Sequence, residues 1–383
     1  MKLYHNYLFL FGFIYYLVCP IIVKYYNLFE NYPGMQLVDK IAFTKSELGL
    51  YVFLISIFAF SFLWGSIYAL SFKTKKRFFL TKNQYYYKGN FFYKIIIPLL
   101  ALYNQILIFK NTGSLFTGYT QEYPIALLGQ IATFNCFYLF IFLFFKKAKI
   151  NNWIYKIVLF FLLENSIALL SMGSRMFVMI PFITYVLYLI DNKIIHLKKI
   201  LLYIIPVIIL FLAIGVWREG NVNIDLEILA FIGLAEPTFT WISAGTFITD
   251  NKTINMIEYP GHFIGTFINF IPSVLFPNKA DFIPKVPYNY DTPLGADNII
   301  PIVYGNFGIF LTPLFLFTGG FIMTYIRYKR HYFWKTFYYC ACSLLPFIFF
   351  RDFQSTNKLL FTSFLLYPLI ILFTSFHIKK KTS

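Results

Sequence analysis

Short segments that hold nearly all of the charge cut this chain into long apolar runs. A membrane-crossing helix needs about 20 predominantly apolar residues. The runs at 7–23, 48–72, 92–109, 124–145, 154–172, 174–190, 200–216, 301–326, 333–350 and 359–376 come close to or exceed that requirement. Within lipid, a single segment can satisfy its own backbone N–H and C=O groups only by helical hydrogen bonding. The sequence therefore predicts an all-α polytopic membrane protein with about ten transmembrane helices, forming one integral membrane domain over residues 1–383.

Composition excludes a soluble alternative. Charged residues make up 13% of the chain and hydrophobic ones 59%, whereas a soluble domain carries about 25% charged residues. The net charge of +17 invites a nucleic-acid reading. That reading fails, because the basic residues lie in short loops between apolar runs, where they set membrane orientation. The 50 Phe and 31 Tyr point to no particular site. Cys19, Cys136, Cys340 and Cys342 all fall within apolar runs without C-x-x-C spacing, and read as buried small residues. The first run lacks a small-x-small cleavage pattern and is expected to stay as the first helix.

Charge orients the helices. With the N-terminus cytoplasmic, 22 of the 33 Lys and Arg fall in cytoplasmic segments and 14 of the 16 acidic residues fall outside. This bias supports ten spans with both termini cytoplasmic. Residues 217–300 then form a large external loop with four basic and nine acidic residues. Within it, 226–248 and 262–276 are apolar enough to touch membrane. Glu227, Glu236 and Pro237 interrupt the first, and the second is short for a span. Both are expected to be amphipathic helical segments on the outer face, with 277–298 an ordered surface loop.

Orientation makes three of the six arginines informative. Arg77, Arg327 and Arg330 fall in cytoplasmic loops. Arg175, Arg218 and Arg351 fall on the outer side, each near the end of a span. Arginine at the membrane boundary is costly without an anion or water, and its planar fork grips phosphate in a way lysine does not match. The three are candidates to hold one diphosphate. Local pairing, Arg218 with Glu219 and Arg351 with Asp352, is the alternative. Glu164 lies midway along its span and could share a face with Arg175 only if the helix continued unbroken through Gly173. Glu236 and His262 are candidate general bases for a hydroxyl group. A Walker loop, His/Cys metal spacing and a G-x-S-x-G elbow are all missing from the sequence, so neither a metal nor another cofactor is expected.

Gly173-Ser174-Arg175 at the start of a span resembles a motif of Wzy-type O-antigen polymerases. Pro260-Gly261-His262, Ile271-Pro272 and Phe276-Pro277-Asn278-Lys279 are similar to the end of that family's large external loop. Asn306-Phe307-Gly308 is similar to its Asn-Phe-Gly element, with Tyr304-Gly305 where an acidic residue often precedes it. The resemblance covers about residues 160–355, an extent read from the order of these motifs along spans. It implies polymerisation of undecaprenyl-diphosphate-linked oligosaccharide repeat units at the outer face of the cytoplasmic (inner) membrane. The arginines would hold the diphosphate leaving group. Expected partners are the lipid-linked oligosaccharide, membrane lipid, a chain-length regulator and a flippase. An O-antigen ligase-like transferase and a polysaccharide precursor flippase or transporter are the competing readings.

Overall fold

The computed structural model describes residues 2–75, 85–89, 91–110, 125–150, 152–196, 226–251, 253–271, 276–293, 297–329, 331–349 and 353–380, with scattered positions in 199–213. Its long helices are α1 Tyr4–Tyr25, α2 Lys45–Lys75, α3 Tyr93–Lys110, α4 Ile125–Ala148, α5 Trp153–Ser171, α6 Met176–Asp191, α7 Leu226–Asp250, α8 Ile299–Arg327, α9 Tyr332–Leu344 and α10 Thr356–Ser375. A short antiparallel ribbon pairs Tyr85–Gly89 with Phe376–Lys380. Among the described residues eight helices are long and apolar enough to cross a membrane: α1 to α5, α7, α8 and α10. The protein is thus a helical, multi-pass membrane protein.

Seven of those eight coincide with expected spans. The run at 174–190 is the 16-residue α6, and 333–350 is α9 followed by the 3-10 turn Leu345–Phe349. The expected span 200–216 lies largely outside the described residues.

By contacts the chain divides into two units. The first comprises Met1–Phe78, Ala230–Tyr328 and Leu344–Lys358. At its centre α2 and α8 run parallel, since Leu54 O accepts from Tyr304 Oη, Gly65 meets Phe317, and Phe72 meets Phe321. A Cβ on Gly65 would stand 2.0 Å from Phe317 O, and one on Gly320 would stand 2.0 Å from Phe62 O. Bare glycine lets the two backbones touch, which is how membrane helices gain packing without a hydrophobic drive. The start of α2 is set by a capping box, in which Thr44 N–H donates to Glu47 (2.7 Å) and Glu47 N–H donates to Thr44 Oγ1 (3.3 Å).

Helix α1 runs antiparallel to both. His5 Nε2 lies 3.0 Å from Thr324 Oγ1 and 3.3 Å from Ser66 Oγ, while Tyr51 donates to Leu17 O near the other end. Phe9 stacks on Phe62 at 4.0 Å and meets Phe349 at 5.3 Å. This bundle has a His5 end and a loop end, the latter carrying residues 26–44 and 251–298.

Residues 226–248 depart from the expected amphipathic segment. They belong to α7, one continuous helix of 25 residues buried on every side from Pro237 to Ile248, apart from the half-buried Phe239. The interrupting residues are all accommodated. Glu227 sits in the first turn, where the helix dipole favours it, and Glu236 accepts from Tyr16 Oη at 3.0 Å. Pro237 has no N–H to give Gly233 O four residues back, and the Tyr15 hydroxyl donates to that carbonyl instead. The other expected segment, 262–276, begins as the short helix Gly261–Gly265 and the 3-10 turn Thr266–Phe270, too short to span.

Helix α7 is long enough to cross, and while Tyr15 and Tyr16 meet it midway along α1, its other partners belong to the loop end. Phe231 packs on Phe29 and Tyr32, Trp241 on Phe43 and Tyr51, and Ser243 accepts from Asn298 N–H. Parity agrees. Parallel α2 and α8 need an odd number of crossings between them, a number the five spans expected from sequence would supply if α7 did not cross, though the last of them lies largely outside the described residues.

The second unit comprises Phe79–Leu229, Lys329–Ser343 and Leu359–Ser383. Its axis is α4, buried all round from Cys136 to Phe145, as a helix apolar on every face should be. Polar pairs knit it: Asn104 to Asn165 at 2.8 Å, Thr184 to Ser343 at 2.7 Å, and Asn135 to Phe177 O at 3.2 Å. Cys136, Cys340 and Cys342 are buried, and Cys19 is half-buried.

If α7 lies across the loop end, its two ends face the same side of the membrane. With Cys19 replaced, Leu226→Cys and Tyr259→Cys should both react with an impermeant thiol reagent from one side. Labelling from opposite sides would mean that α7 crosses.

Candidate functional site

The loop end is organised by a break in α8. Gly308 has φ +69° and ψ −174°, so the helix stops there and restarts. A Cβ at this position would stand 2.7 Å from both Asn255 O and Met256 O, so two independent reasons require glycine. Backbone groups released by the break must find partners. Ile309 N–H donates to Asn255 O (3.1 Å), Phe310 N–H to Met256 O (2.9 Å), and Glu258 N–H to Phe307 O (3.4 Å). Residues 255–258 therefore lie along the gap like an added strand.

Asn306 fastens the next segment. Its Oδ1 accepts from Phe263 N–H at 2.9 Å while its Nδ2 donates to Ile302 O at 2.7 Å. Phe307 stacks on Phe315 at 4.5 Å and meets Phe263 at 5.5 Å. Gly265 packs on Ile283 and Pro284, and Gly305 on Val286 and Tyr288. Tyr288 in turn donates to Glu258 at 3.0 Å and accepts from Asn255 N–H at 3.0 Å. Burial raises the Tyr288 hydroxyl above the ordinary tyrosine value, the Asn255 N–H opposes that, and Glu258 adds to it. It serves as a neutral strut.

His262 is held on this frame. Its Nδ1 lies 2.8 Å from Pro284 O. A carbonyl oxygen can only accept, so Nδ1 carries the proton and Nε2 presents a lone pair. Nε2 is enclosed and has no protein partner. That tautomer leaves Nε2 as the ring's proton-accepting atom. Glu236 stands on α7 with Tyr16, so the two expected bases have separate anchors.

A cleft of about 470 Å³ opens at the same end, lined by Lys40, Thr246, Thr249, Asp250, Asp291 and Thr292 over apolar Leu37, Ile41 and Ile242. Thr246 Oγ1 accepts from Asp291 N–H at 2.9 Å, and Thr249 donates to Asp250 at 3.1 Å. Carboxylates and hydroxyls above an apolar floor suit a polyhydroxylated ligand. Sequence reasoning did not single out Asp250 and Asp291. The only signal was the acidic bias of the loop, which does not say which of nine acids meet.

In the second unit, α5 ends at Ser171, Gly173 turns at φ +71°, and half-buried Arg175 occupies the N-cap of α6. The expected hairpin is therefore present, and Glu164 and Arg175 belong to different helices. Glu164 borders an apolar recess of about 400 Å³ with Ile108, Phe160, Leu163 and Ile167. Arg218 and Arg351 lie outside the described residues. Among the described residues no group of three His, Cys, Asp or Glu is arranged to hold a metal ion.

Fold and site together define a polytopic helical membrane protein with a polar platform latched onto a broken helix. No family model, curated protein or solved structure matches the chain.

Gly308→Ala should cost about 1–3 kcal/mol from backbone strain alone, and Asn306→Ala about 1–2 kcal/mol for the unpaired Phe263 N–H. Both should speed proteolysis within 251–298 of the purified protein. Cleavage at the wild-type rate in both variants would contradict the latch.

Proposed function

We propose that this chain polymerises undecaprenyl-diphosphate-linked oligosaccharide repeat units into O-antigen or capsular polysaccharide at the outer face of the cytoplasmic membrane. One observation carries the reading. The elements behind the resemblance in the first unit meet at one junction: Asn306-Phe307-Gly308 receives the segment of Pro260-Gly261-His262, and Lys279 donates to Ile271 O. Short motifs 40 residues apart in sequence that interlock in space act as one element.

In this reading the loop end faces outward, on the side the loop charges favour, and both termini are cytoplasmic. The hydroxyls and carboxylates of the Asp250–Asp291 cleft suit sugar hydroxyls of the substrate glycan. His262 Nε2 takes the proton from the acceptor hydroxyl, whose oxygen bonds to the anomeric carbon of the growing chain. The carbon–oxygen bond to diphosphate breaks, and its electron pair leaves on undecaprenyl diphosphate. Charge gathers on that leaving group and needs a fixed cation, usually the largest electrostatic contribution in such a step. Arg175, the arginine of the Gly173-Ser174-Arg175 resemblance, is proposed as a phosphate-binding residue of the second unit, because its fork matches phosphate oxygens. Of the two candidate bases, His262 is preferred, since Glu236 is already bound to Tyr16.

Arg175→Lys keeps the charge and loses the fork. It should leave the protein in the membrane but collapse the glycan ladder to single repeats. Ladders of normal length in that variant would contradict the reading.

A further inference from the structure

Lys279 is the least expected charge in the described structure. The residue is only 8% exposed, and its ammonium donates to Ile271 O at 2.5 Å. Among the described residues no carboxylate pairs with it. A buried cation without a counter-charge is strongly disfavoured, and here a second cation makes matters worse. Lys358 is close enough that its charge acts on Lys279. The chain arranges this deliberately: the short helix Phe353–Lys358 packs on the turn Thr266–Phe270, which packs on Lys279–Phe282. Next to Lys358, Asn357 is itself 8% exposed, and its Nδ2 has no partner.

The surroundings indicate what would complete the site. Ile264, Phe267, Ile271 and Phe282, on the segments that frame Lys279, are exposed apolar side chains. Two cations within an apolar rim suit a ligand that is anionic at one end and hydrocarbon at the other.

We propose that Lys279 and Lys358 hold a phosphate group of an amphiphilic lipid, the diphosphate of the lipid-linked substrate under the function proposed above. Lysine binds phosphate as a point charge, and two of them facing one site would be neutralised together on binding. The state of Lys279 without a ligand agrees: burial first, then the Lys358 charge, holds its ammonium below the ordinary lysine value. A bound anion would oppose both by favouring the charged ammonium.

The test is lysine footprinting of the full-length protein in nanodiscs of zwitterionic lipid. Acylation of each lysine is read by mass spectrometry with undecaprenyl diphosphate, phosphatidylglycerol or undecaprenol added. Undecaprenyl diphosphate should protect Lys279 and Lys358 while leaving exposed Lys285 reactive, and undecaprenol should protect neither. Equal protection by phosphatidylglycerol would keep the phosphate site but assign it to bulk headgroups. No protection by either phosphate lipid overturns the proposal. As a second measure, Lys279→Met should weaken undecaprenyl diphosphate binding about tenfold or more, equivalent to about 1.4 kcal/mol, with Lys279→Arg close to wild type. Unchanged affinity in Lys279→Met overturns it equally. Binding is read without any polymer being made, so a protected Lys279 beside normal glycan chains in Arg175→Lys would refute the polymerase and leave this site standing.

Discussion

A helix broken inside a bundle leaves N–H and C=O groups that must be paired where water is scarce, and the loop end is built on how α8 solves this at Gly308. The chain brings residues 255–258 alongside the gap, so the break becomes the attachment point for the loop that follows α7. Asn306 adds a side-chain tie to Phe263, which orients the short helix carrying His262. Pro284 then receives His262 Nδ1–H, and Tyr288 braces Glu258. Remove the break and each of these ties loses its footing.

The break is affordable because the helix that carries it is held elsewhere. Over Gly65 and Gly320 the backbones of α2 and α8 touch, and α1 closes the bundle through His5, Phe9 and Tyr51. Parallel α2 and α8 also constrain the path of the chain between them. Within the first unit, residues 255–258, 263 and 284–288 are tied to one another around the break in α8.

Much of this architecture was legible from apolar runs alone, since a stretch of about 20 residues without charge has few other fates. The misreading of 226–248 came from counting Glu227, Glu236 and Pro237 as interruptions. Two of the three are compensated by a partner distant in sequence: Tyr16 for the Glu236 carboxylate, and Tyr15 for the carbonyl that Pro237 leaves open. No local pattern announces such a partner. Candidate residues could be nominated from the sequence, His262 through its neighbours and Arg175 through its place at a hairpin. Lys279 could not, because one lysine among 27 is distinguished only by burial, and burial depends on the packing of the turn Thr266–Phe270 and the helix Phe353–Lys358. Asp250 and Asp291 meet in one cleft only after α7 and the loop are in place.

His262, Lys279 and the ties around the break in α8 all belong to the first unit, and the proposed function has this unit work on glycan carried by a lipid diphosphate. The lipid-linked glycan profile of cells lacking the chain tests that claim most directly. The account predicts single repeat units, on the lipid carrier or on the final acceptor, with the ladder of longer chains lost. A normal ladder, or long polymer accumulating on undecaprenyl diphosphate, would contradict it.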